Sequence, residues 1–111
     1  MVVMPMTDDT RLINTRMQLL FKRVTATKYW LQIVNDPYDD EFNIFFNSQR
    51  KWERLKSVPL HSLHGRDLVH LELVVTELHH LTQLTIEYEG FAGIQWPKNH
   101  HLIQKVRNNY E

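Results

Sequence analysis

The chain has 111 residues, with 13 Lys and Arg balancing 13 Asp and Glu and with no cysteine. That length suits one core, so a single domain over 1–111 is expected, and the cancelling charge excludes a global field that would draw the whole molecule to nucleic acid or anionic membrane. The missing cysteines exclude disulfides, a thiol nucleophile, zinc fingers and iron–sulfur clusters.

Residues 1–6, MVVMPM, read as a short N-terminal extension. They are too few for a signal sequence and run directly into Asp8 and Asp9, and initiation at Met1, Met4 or Met6 fits equally well. No later run reaches the ~18 apolar residues of a membrane span, so a cytoplasmic protein with no membrane partner is predicted.

From Thr7 a long first helix is predicted, capped by Thr7 or Asp8. Its apolar seam runs through Ile13, Met17, Leu20, Val24, Leu31 and Val34 and ends at Asn35-Asp36-Pro37. If that seam is the main packing surface, Leu20→Asp unfolds the protein or breaks its assembly. A second helix is expected from about Asp39 to Lys56, with acids in its first turn, Arg54 and Lys56 in its last, and Phe42, Phe45, Phe46, Trp52 and Leu55 on its apolar face.

Arg66–Glu89 fits two periods. Leu68, Leu71, Val74, Val75, Leu78 and Leu81 step like a helix, whereas Thr82, Leu84, Ile86 and Tyr88 alternate like a strand. The polar stripe of Glu72, Thr76, His79, Gln83 and Glu87 favours the helix. A loop over 89–97 and a short last helix in NHHLIQKVRNNY complete the chain. The predicted fold is all-α, a small antiparallel helical bundle or long helical hairpin with a short C-terminal helix. The alternative is α+β with a hairpin from residues 69–88.

For chemistry the signals are sparse. Ser48, Ser57 and Ser62 lie in no nucleophile motif, there is no glycine-rich phosphate loop and no HExxH, and Asp67, His70 and Glu77 are spaced as helical residues often are. The chain is expected not to be an enzyme. Seven histidines invite a metal. Glu77 with His80 supplies only a fragment of a di-iron site, and His61 and His64 need Glu72 or His70 to converge with them, so no metal and no cofactor are predicted.

The aromatic endowment points instead to a protein-interaction module, a small regulator, adaptor or accessory subunit docking on a larger protein or forming a homodimer. Its anchors are expected to be Trp96, Phe91, Ile94, Trp30, Tyr29 and Tyr38. The apolar loop Phe91–Trp96 is expected to project. The alternative is a nucleic-acid-associated regulator, contacting its ligand through Arg16 and Arg23 of a basic first helix and through Arg50, Lys51 and Arg54 beside Trp52. Against it, helix C-termini collect bases for dipole reasons, Trp52 falls on the predicted apolar face, and Glu53 interrupts the patch. A histidine and carboxylate metal protein ranks third.

Overall fold

A computed structural model describes residues 6–21 and 26–104. The elements in chain order are α1 (Asp8–Leu20), β1 (Thr27–Asp36), β2 (Glu41–Arg50), β3 (Lys56–His64), α2 (Leu68–Leu81) and β4 (Ile86–Glu89). The fold is α+β, a four-stranded mixed sheet with two helices, and the all-α bundle is overturned. The strand order is β3-β2-β1-β4; β1–β2 and β2–β3 are antiparallel and β4 runs parallel to β1. Among the described residues no helix is long and apolar enough to cross a membrane.

The first predicted helix stops at Leu20, and its second half is β1. Thr7 caps α1 by accepting the Thr10 N–H at 3.2 Å, and Phe21 ends it with extended backbone. Beyond Thr27 the β-branched and aromatic residues Tyr29, Trp30, Ile33 and Val34 favour a pleated strand. Leu31 and Val34 had fitted a helical seam, but Leu31 and Ile33, two apart, are the fully buried pair. The second predicted helix is β2, where Phe42, Ile44 and Phe46 point alternately inward. Asn35-Asp36-Pro37 is the approach to a hairpin and not a helix stop: Asp36 Oδ1 accepts the N–H groups of Tyr38 at 3.0 Å and Asp39 at 3.2 Å, and Asp40 takes φ +53°.

The ambiguous stretch contains both elements in succession. α2 is capped by Asp67, whose Oδ1 accepts from Val69 and His70, and after Thr82 the chain re-enters the sheet as β4. No hairpin forms from 69–88, because β4 pairs with β1. β3, α2 and β4 form a crossover whose two strands share a direction, the connection that parallel strands require.

Ile13 and Met17 of α1 and Leu71, Val74, Val75 and Leu78 of α2 share one core with Leu31, Ile33, Phe42, Ile44 and Phe46, so both helices cover the same sheet face. The C-terminal segment folds back over one end of this core. Gly90 turns at φ +83°, where a Cβ would stand 3.0 Å from the Asn35 carbonyl oxygen. Phe91 then drops into the interior against Phe42 and Tyr88. The segment is tied by Phe91 N–H to Gln104 Oε1 and by a Gln95–Leu102 bridge. Residues 99–104 are therefore loop and bridge, and the remainder of the predicted last helix lies outside the described residues.

Candidate functional site

The run Gln49–Lys56, expected at a helix C-terminus, is the end of β2, a tight turn and the start of β3. Two of the three features expected to weigh against a binding patch there are absent. No helix dipole collects these bases, and Trp52 lies on no apolar face: it is 93% exposed. The Glu53 N–H donates to the Arg50 carbonyl at 2.9 Å, closing a turn whose third residue is Trp52 at φ +70°. That position favours glycine, and a bulky aromatic there is held against its backbone preference. A Lys51 N–H to Ala26 O bond, 3.0 Å, fastens the turn to the entry of β1.

Pairing in the sheet brings in what the linear run lacks. β1 and β2 are in register with Lys28 opposite Gln49 and Thr27 opposite Arg50, so Lys28 joins the tip from the neighbouring strand. Two concavities result. One of about 480 Å³ is lined by Ala26, Thr27, Lys28, Gln49, Arg50, Lys51 and Trp52. The other, about 250 Å³, is lined by Tyr29, Ser48, Arg54 and Lys56 among others, and Arg50 borders both. The Lys51 ammonium lies 5.4 Å from the centroid of the Trp52 ring. The single acid of the turn, Glu53, approaches Arg50 only to 3.9 Å with both side chains about half exposed, a pairing worth little. Five cations, Lys28, Arg50, Lys51, Arg54 and Lys56, therefore gather at one end of a molecule whose net charge is zero.

The remaining expected contacts are dispersed. Arg16 donates from Nη1 to the carbonyl of Leu60, an internal tie between α1 and β3, and Arg23 lies outside the described residues. α1 carries no basic track, since Arg11, its other base, pairs with Asp8 at 2.8 Å. Of the expected protein anchors, Phe91 is fully buried, and Ile94 and Trp96 pack partly buried against the core, Trp96 edge-on to Tyr88. The loop does not project because it closes the core. Tyr29 sits in an aromatic cluster with Phe21 and Phe46. Trp30 is half-buried on the sheet face away from the helices, its shielded indole N–H without an acceptor among the described residues. Tyr38 alone of the six stands free, 97% exposed at the β1–β2 turn.

A second cluster escapes sequence reasoning. Asp9 receives His61 Nε2 at 2.6 Å on one carboxylate oxygen and His70 Nε2 at 2.7 Å on the other, joining α1, β3 and α2. A bulge in β3 makes this possible. The register slips so that Phe45 faces Pro59 while Ile44 faces His61, with Leu60 extra, and the slip turns His61 toward the helices. Partial burial raises the Asp9 pKa, but hydrogen bonds and charge from the two histidines outweigh it and hold the group below its ordinary 3.8. The imidazole nitrogens are spent on opposite oxygens and do not converge on a common point, as metal ligands would. The described residues that do bring three ligand atoms within 4.8 Å of one another are Asp36, Asp39 and Glu41, and there Asp36 already serves as the turn acceptor.

No protein family, curated protein or solved structure matches the chain.

Proposed function

We propose that the chain is a nucleic-acid-binding module whose contact surface is the basic tip made by the entry of β1 and the β2–β3 turn. One observation carries this reading: Lys28, Arg50 and Lys51 line a cleft together with a Trp52 side chain that is almost wholly exposed. Cations beside a free aromatic face combine the two attractions that nucleic acid offers, phosphate charge and stacking. An exposed tryptophan held at positive φ has no packing role to explain it. Of the expected protein anchors, Phe91, Ile94 and Trp96 pack into or against the core, and Tyr38 is the one almost wholly exposed.

The test is fluorescence anisotropy of a labelled oligonucleotide against the full chain. With three to four phosphates contacted, affinity should fall by roughly 20- to 50-fold between ~50 and ~200 mM salt. Arg54→Glu and Lys28→Glu should each weaken binding about tenfold and flatten the salt dependence. Lys28 is the telling position, because only the fold brings it to the turn. Salt-independent binding, or a Lys28→Glu variant that binds like the parent, would count against the tip.

A further inference from the structure

We infer that the nucleic acid this tip takes is single-stranded, with one unstacked base lying on Trp52 in the larger cleft and the backbone following Lys28 toward Trp30; the inference rests on the reading above. In a duplex, base faces are covered by their neighbours, and an aromatic side chain meets only edges and phosphates. Trp52 offers an open ring face on the wall of a concavity of about 480 Å³, a size that takes a nucleoside-sized group. The Lys51 ammonium sits over one face of the Trp52 ring, 5.4 Å from its centroid, so the base stacks on the opposite, solvated face.

The neighbouring surface extends the site in one direction. A further concavity of about 350 Å³ is lined by Lys28, Tyr29, Trp30, Thr85 and Glu87, so Lys28 belongs to both and a tryptophan stands in each. Aromatic, cation, aromatic is the order in which a single strand presents base, phosphate, base. Glu87, whose carboxylate accepts from Gln32 Nε2 at 3.3 Å, ends the track by repelling the next phosphate. The footprint is accordingly short.

A lipid surface is the competing source of anionic charge, since Leu55 is also half exposed at the turn. The tip argues against it. Glu53 lies between Trp52 and Leu55, so inserting both would bring a carboxylate among anionic headgroups.

The experiment compares labelled oligothymidylate of about ten nucleotides with a duplex of the same length, using the full chain, Trp52→Ala and Trp52→Phe. The single strand should bind at least about tenfold more tightly than the duplex. Trp52→Ala should lose roughly 10- to 100-fold on the single strand and little on the duplex, while Trp52→Phe keeps most of the affinity. Because the side chain is solvated, circular dichroism and melting temperature should not change. Duplex binding as tight as single-strand binding, with Trp52→Ala indistinguishable from the parent, would overturn the inference and leave the electrostatic tip standing. Binding to neither nucleic acid, or only to phosphatidylserine vesicles, would overturn both.

Discussion

At the scale of single residues, the clearest consequence of the structure is how α1 is pinned. Asp9 bridges two imidazoles, and about two turns beyond His70 on α2 Glu77 accepts the Thr7 hydroxyl at 2.9 Å and the Thr10 hydroxyl at 2.7 Å. Partial burial raises the Glu77 pKa, but the hydroxyl and amide donors, helped by nearby His70, keep it below its ordinary 4.5. Both carboxylates thus prefer their charged form more in the folded chain than in the unfolded one. Their contribution to stability is complete above the ordinary carboxylate range and fades as pH drops through their lowered folded values. The melting temperature should therefore fall on acidification below about pH 4.5. Asp9→Asn should start lower at neutral pH and show a shallower decline. Parallel curves for the two proteins down to about pH 3 would mean that the bridge contributes nothing. Nothing in the local sequence announces it, because Asp9, His61 and His70 meet only through the Leu60 bulge and the docking of two helices.

At the scale of elements, α1 is the instructive case. Its buried positions are Thr10, Ile13 and Met17, one face of a helix of 13 residues, and Leu20 at its end is 37% exposed. The expectation that Leu20→Asp unfolds the protein is therefore replaced by another. Leu20→Asp should change the melting temperature by only a few degrees, whereas Ile13→Asp puts an unpaired carboxylate into the core and should abolish the cooperative thermal transition. Thermal melts of the two variants side by side decide it, and equal losses would restore the longer seam. The helical seam was misleading because residues at steps of seven and three also fall on plausible strand positions, and partners decide between the two. Leu31 and Ile33 lie on a strand paired on both sides, with β2 and with β4. β2 deceives in the same way, since Asn43 and Asn47 sit on the far side of the sheet. There Asn47 Nδ2 donates to Gln32 Oε1 at 3.0 Å, and the Ser57 hydroxyl donates to Asn47 Oδ1 at 2.6 Å.

At the scale of the whole molecule, zero net charge conceals a separation. The basic tip stands at one end of the β1–β2 pair, and Asp36, Asp39, Asp40 and Glu41 gather at the other, where Arg66 pairs with Asp40 and His64 lies against Glu41. Ten paired residues set these ends about 30 Å apart, several Debye lengths at physiological salt. A polyanion would meet the tip first and find the acidic end facing away. Asp39→Lys should accordingly leave oligonucleotide affinity within about twofold at ~150 mM salt, while Arg54→Glu at the tip weakens it about tenfold. An anisotropy titration in which both changes shift affinity equally would show that net charge, and not the tip, governs binding.

The sequence by itself determined what depends on near neighbours: the absence of thiol chemistry, a cap at Thr7 or Asp8, a helix within Arg66–Glu89, and the run of bases around Trp52. Only the tertiary structure decided what depends on partners far along the chain. Residues 27–50 pair as two strands because hydrogen bonds to β3 and β4 satisfy their backbones and a shared core covers one face. Phe91 and Trp96 are drawn inward because the end of that core is open until the segment after Gly90 closes it. Lys28 meets Arg50 and Trp52 because the β1–β2 register sets them side by side. A strand leaves all of its ladder hydrogen bonds to elements elsewhere in the chain, whereas a helix makes its own, so a strand's local pattern stays ambiguous where that of a capped helix does not.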